Sequence, residues 1–140
     1  MKNTIYGALA VIMISCGSAN KYEPYLTQIN SITASSCASG YEYSFSVMDN
    51  KVSILYKSPY TEPATYSAAL SDLQFSWNTL GGDVEEGIDH EVIIACPNLG
   101  DNCLISETGQ KSRITIEIKG EAGAESLLSN LGYLKEVASE

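Results

Sequence analysis

A chain of 140 residues fits one domain, and with a leader removed about 125 residues remain, enough to bury roughly two thirds of their unfolded surface in one core. Nine tyrosines stand against two phenylalanines, one tryptophan and one histidine, a balance that favours a half-exposed β surface over a helical bundle. The formal charge of −9 repels nucleic acid and anionic lipid headgroups alike, so the acidity is read as a solubility device and not as a binding surface for either.

The first element is a targeting segment, residues 1–15. One cation, Lys2, precedes an apolar run from Ile5 to Ile14, followed by Ser15 and Cys16. Ten apolar residues are too few for a spanning helix, which needs about 20, and they suit the core of a secretory signal. The junction Met13-Ile14-Ser15-Cys16 resembles the lipobox of bacterial lipoproteins, although Met13 stands where that family has Leu, Val or Ile. The resemblance implies lipidation at Cys16, a palmitate-type membrane anchor, and a location in the cell envelope at the outer membrane or cell surface, since Gly17 replaces the aspartate that retains such proteins at the inner membrane. A soluble exported protein cut after Gly17-Ser18-Ala19 is the alternative. Cleavage before Cys16 removes Lys2 and takes the formal charge from −9 to −10.

Residues 16–23 read as a tether and 24–140 as a single globular domain. Pro24 suits the first turn of a helix, and Tyr25, Leu26, Ile29 and Ile32 recur at helical spacing until the run frays into Ser31, Thr33, Ser35 and Ser36. Tyr41, Tyr43, Phe45 and Val47 then alternate with Glu42, Ser44 and Ser46, and Val52, Ile54 and Tyr56 alternate again beyond Asp49-Asn50. Both central residues tolerate positive φ, so the two strands form a hairpin. Ser58–Pro63 is a two-proline loop, Ala64–Leu70 and Leu73–Leu80 are further strands about Ser71-Asp72, and Gly81-Gly82 ends the second.

His90–Ile105 reads as two short strands closed at the tip by cysteines. Whichever cleavage occurs, Cys37, Cys96 and Cys103 remain, so one thiol is odd, and the short loop from Cys96 to Cys103 makes those two the natural pair in an exported protein. If they face each other across a hairpin, Ile94 opposes Ile105 and Ala95 opposes Leu104, and Cys37 stays free. Gly109-Gln110 reads as a turn. Ile114, Ile116 and Ile118 mark a seventh strand, Arg113–Lys119. After Gly120 the period becomes helical, with Ala124, Leu127, Leu128, Leu131, Leu134 and Ala138 in one stripe. Gly132 weakens that helix by about 1 kcal/mol relative to Ala, so docking must compensate or Gly132 must permit a close approach.

These elements predict an α+β, mainly antiparallel β domain: about seven strands in a bent sheet or partly open barrel, a short N-terminal helix, and a C-terminal amphipathic helix as cap. The element order over Tyr41–Ala138 resembles the pleckstrin-homology superfold, in which the helix plugs one end of a strongly bent sheet. That family's helix usually carries a tryptophan, whereas here Tyr133 is its only aromatic residue. Where its lipid-binding members gather basic residues, this hairpin has only Lys51 and Lys57, so headgroup binding is not implied. The whole arrangement also resembles small uncharacterised bacterial lipoproteins.

Any Ser-His-Asp or Cys-His mechanism would pass through His90, the single histidine, which sits beside Asp89 and Glu91 and near no nucleophile in sequence. It is read as a polar residue opening a strand, and no catalytic residue, cofactor or zinc site is assigned. Asp83, Glu85, Glu86 and Asp89 crowd one acidic loop that could offer oxygen ligands to Ca²⁺, without the EF-hand pattern. Tyr56, Tyr60 and Tyr66, about the two-proline loop, offer large contact area with polar tips for a protein or glycan, or else cover the core edge. The expectation is an exported, lipid-anchored, non-enzymatic domain that binds a protein or envelope component, with no nucleic acid and no membrane contact beyond the anchor. A small secreted hydrolase or protease inhibitor is one alternative, and a Ca²⁺ module through loop 83–89 is another.

Overall fold

The computed structural model describes residues 20–81, 87–98 and 100–140. The segment read as a signal, Cys16, the expected tether up to residue 19, and the carboxylates Asp83, Glu85 and Glu86 lie outside the described residues. Among the described residues the fold is α+β: a short helix, eight antiparallel strands in two sheets, and a C-terminal helix. No helix among the described residues is long and apolar enough to cross a membrane.

Helix α1, Glu23–Ser36, starts with Pro24 in its first turn, where the missing N–H is no loss. It buries Leu26, Ile29 and Thr33 at helical spacing. The serine- and threonine-rich end does not fray as expected. Thr33 donates its hydroxyl to the Ile29 carbonyl at 3.0 Å and Ser35 to the Ser31 carbonyl at 2.9 Å, so these side chains bond within the helix that they otherwise compete with.

The expected hairpin forms from β1, Glu42–Met48, and β2, Lys51–Lys57, with Tyr43 opposite Tyr56 and Phe45 opposite Ile54. Its turn places Asp49 and Asn50 at φ 52° and 61°, the two left-handed residues that match the strand twist. Strand β3, Ala64–Ala69, adds to β2. Then the short 3₁₀ turn Leu70–Asp72, with Leu70 and Leu73 fully buried, carries the chain into β4, Gln74–Thr79, which belongs to the other sheet.

Strands β5, Ile88–Ala95, β6, Leu104–Ser106, β7, Gly109–Lys111, and β8, Arg113–Lys119, complete a five-stranded sheet ordered β1-β2-β3-β6-β7 and a three-stranded sheet ordered β4-β5-β8. The sheets are not closed into a barrel. Two expectations are corrected here. The stretch Gly109-Gln110 is a short strand, not only a turn. The cysteines do not close a hairpin: Ile94 lies opposite Phe75 and Ile114, and Ile105 lies opposite Ser67 and Gln110. Strand β5 buries alternate residues between two ladders of its own, so its edges are taken, and the three-residue β6 pairs with β3 instead. The Cys96–Cys103 disulfide forms, with 5.8 Å between Cα atoms, and links the end of the interior strand of one sheet to the start of a strand in the other.

Helix α2, Glu121–Ala138, docks Ala124, Leu127, Leu131 and Leu134 into a single core shared by both sheets and α1. Leu128 and Ala138 are half-buried at the stripe's margin. Nothing lies within 4 Å of where a Gly132 side chain would point, so that glycine provides no close approach. The edge of β1 is covered by α1, and the edge of β8 meets Cys37 in a bridge to Ile118 and the Tyr43 hydroxyl, which donates to the Thr115 carbonyl at 3.3 Å.

Candidate functional site

Alternation on β1, β2 and β3 gives the five-stranded sheet an inner face of Tyr43, Phe45, Val52, Ile54, Tyr66 and Ala68, and an outer face of short hydroxyls. In the pairing, Ser46 faces Ser53 and Ser53 faces Ser67, whose hydroxyl lies 2.8 Å from that of Ser53. Ser44 and Thr65 flank Leu55 in the next row. Leu55 is 44% exposed and Ile105, opposite Ser67, is 54% exposed. Both apolar side chains stand in phase with the serines instead of with the core.

Two shallow grooves open onto this face. One, of about 440 Å³, runs between Pro63–Ser67 and Ile105–Thr108, and the other, of about 370 Å³, lies between Thr33, Ala34 and the Tyr41–Ser44 edge with Leu55 and Lys57. The charged pair at its rim, Lys57 to Glu42 at 3.2 Å, is exposed and contributes little to stability. The signal for this face was present in the sequence. Leu55 interrupts the polar phase of β2, and Ile105 follows Leu104 so that one of the two must point outward.

The expected tyrosine surface is divided by the fold. Tyr60 is 85% exposed, on a loop held by Ser58, whose Oγ accepts the Tyr60 and Thr61 N–H groups at 3.2 Å each and lies 2.8 Å from the Thr61 hydroxyl. Pro59 in that loop packs where a side chain on Gly40 would sit, 2.7 Å away, and Gly40 has φ +85°, so the loop rests on a position open only to glycine. Tyr56 is half-buried and Tyr66 is buried, which removes Tyr66 from any exposed contact set. The reason is phase: both share the inner face with Ile54 and Ala68. The Lys111 ammonium lies 5.2 Å from the Tyr56 ring centre and 4.9 Å from that of Tyr66, closing the core edge with a cation over two aromatic faces. Tyr43 stacks 5.4 Å from Tyr56, and burial, more than its neighbours Cys37, Tyr56 and Tyr41, raises its phenol above the ordinary range.

His90 is buried, its ring 5.2 Å from that of Trp77, and its Nδ1 lies 2.8 Å from Asp89 Oδ1. A register shift between Ile88 and His90 marks a bulge in β5, which turns the carboxylate of one residue toward the ring of the next. The same Oδ1 accepts the Gly120 N–H at 2.7 Å, at the residue that opens α2 with φ 78°. The His90 bond, then the Gly120 bond, lower the Asp89 carboxyl from its usual value. This is the acid-histidine half of a triad in outline, but its bonds tie β5 to the junction of β8 and α2. Of the four carboxylates weighed for Ca²⁺, Asp89 alone is described, and its Oδ1 is occupied by these two partners. Among the described residues no three of His, Cys, Asp and Glu converge as metal ligands. Cys37 is a free thiol, half-buried, with its pKa pushed up to about 11 by burial. No protein-family model, curated protein or solved structure matches the chain.

Proposed function

We propose that the chain is an exported, non-enzymatic interaction domain, held at the cell envelope by a lipid on Cys16, that engages a protein or envelope component through the outer face of its five-stranded sheet. The observation that carries this reading is the exposure of Leu55 and Ile105 among serine and threonine hydroxyls. An apolar pair set among hydroxyls offers contact area while the hydroxyls supply adaptable hydrogen bonds, the chemistry of a recognition face. The Cys96–Cys103 bond supports export, because such bonds persist in oxidising compartments. The part that His90 and Asp89 take in joining β5 to α2 supports a structural over a catalytic role. Tyr60, exposed on its braced loop, offers a further aromatic contact.

A photo-crosslinking side chain placed at Leu55 or Ile105 in cells should give one discrete adduct from both positions, absent when it is placed at Glu136 on the exposed side of α2. Adducts that arise equally from all three positions would remove the face as the site. Fractionation tests the anchor separately: acyl chains on Cys16 and release of Cys16→Ala from membranes are expected, and a mature protein beginning at Asn20 would refute it.

A further inference from the structure

Three sheet edges are shielded in their own ways: β1 by the side chains of α1, β8 by Cys37 and Tyr43, and β7 by being three residues long. Strand β4 is different. It pairs with β5 on one side, and on the other no described residue pairs with it. The phase of its free groups is fixed by the Leu80 N–H, which donates to the Asp89 carbonyl at 2.8 Å in the same register that sets Asn78 opposite Glu91. In an antiparallel ladder the hydrogen-bonded pairs alternate, so the even-numbered residues bond β5, and Phe75, Trp77 and Thr79 turn their N–H and C=O groups outward. Leu73 cannot extend that row, because its N–H is bonded to the Leu70 carbonyl and its own carbonyl accepts the Lys135 ammonium at 2.7 Å.

Natural edges are protected by lysine, proline, bulges or inward charges. Gln74–Thr79 has none of these. It is an uncharged strand in a chain of formal charge −9, so two copies meeting along it bring no carboxylate of one strand against a carboxylate of the other. The free row is also symmetric about its centre. We propose that β4 pairs with β4 of a second copy, antiparallel and about a twofold axis at Trp77, merging two three-stranded sheets into one of six. Trp77 then faces its own counterpart, and Phe75 faces Thr79 of the other copy, so that all three outward residues exchange both backbone bonds. Ser76 faces Asn78 on the polar side. Phe75 and Trp77 are half-buried in the single chain, and the second strand covers their remaining surface, setting the two Trp77 rings opposite one another, an arrangement favoured between strands.

The pairing makes a prediction specific to its register. Ser76 and Asn78 are exposed, so charges there leave the single chain folded while acting directly across the axis. In sedimentation velocity on the full chain with Cys16→Ala, so that no acyl chain contributes, the parent is expected as a dimer. Ser76→Lys/Asn78→Lys sets like charges opposite one another and should sediment as a monomer with unchanged circular dichroism. Ser76→Glu/Asn78→Lys sets Glu opposite Lys twice and should restore the dimer. A parent that stays monomeric into the millimolar range would overturn the proposal, as would a dimer indifferent to the doubled lysine. A monomer for the Glu/Lys variant would overturn the axis at Trp77.

Discussion

The Asn30 side chain makes both backbone bonds to Phe45 that a neighbouring strand would make: Oδ1 accepts the Phe45 N–H at 2.8 Å, and Nδ2 donates to the Phe45 carbonyl at 3.0 Å. One amide on α1 therefore stands in for a strand at the edge of the five-stranded sheet. Asn30→Ala should destabilise by about 1–3 kcal/mol, because it strands a donor and an acceptor together. Asn30→Asp keeps the acceptor and loses the donor, so urea denaturation should place it between the parent and the alanine variant. Equal stability of all three would mean that water replaces the amide without loss.

In α2 the two neighbours Leu131 and Gly132 should respond oppositely to alanine. Leu131 is buried in the core, so Leu131→Ala should cost about 2–5 kcal/mol through the cavity that it leaves. A methyl group on Gly132 meets nothing within 4 Å, so Gly132→Ala should gain about 1 kcal/mol from helix propensity and reduced freedom of the unfolded chain. Thermal melts that show loss in both variants would contradict the open surroundings of Gly132.

The contrast between these elements and the cysteine segment shows what local pattern can carry. The β1–β2 hairpin and the α2 stripe were legible because their partners are close in sequence or their period is long: alternation about Asp49-Asn50 fixes a register without any distant information. The division into two sheets was not legible. It depends on Leu70, which opens a three-residue turn, and Leu73, which follows it, both being buried, and on β5 taking β8 as its neighbour across an intervening pair of strands. Spacing correctly paired Cys96 with Cys103 but could not tell a bond within a hairpin from one between sheets. The tyrosines show the same limit. Their number signalled half-exposed β surface, while the phase that buries Tyr66 and leaves Leu55 outside becomes decisive only once the inner face is known.

The disulfide closes a loop of about eight residues, which removes on the order of 2.5 kcal/mol of unfolded-chain entropy. Reduction should therefore lower the melting temperature clearly. Its position between sheets adds a second expectation: hydrogen exchange after reduction should rise first at Leu104–Ser106 and Gly109–Lys111, whose strands are short and whose link to β5 has been cut. Cys37, half-buried with its pKa pushed up to about 11, should be alkylated slowly at pH 8 without reductant, since little thiolate forms there. Peptide mapping should find that label on Cys37 and none on Cys96 or Cys103.

Acid should expose the bond between Asp89 and the residues that it joins. The Asp89 carboxyl is lowered from its usual 3.8 by the His90 ring and then by the Gly120 N–H. A carboxyl with a depressed folded pKa binds its proton more weakly in the native state than in the unfolded chain. Its contribution to stability is therefore fully present above the ordinary value and is lost as pH falls through the folded one. Asp89→Asn keeps an acceptor for Gly120 but has no charge to lose. The gap between the denaturation midpoints of parent and variant should close as pH falls from 5 to below about 3.8. The carboxylate is exposed, so added salt should narrow the gap by screening its charge. A gap that stays constant down to pH 2 would show that the amide and the carboxylate serve Gly120 equally and that charge plays no part in holding β5 to the start of α2.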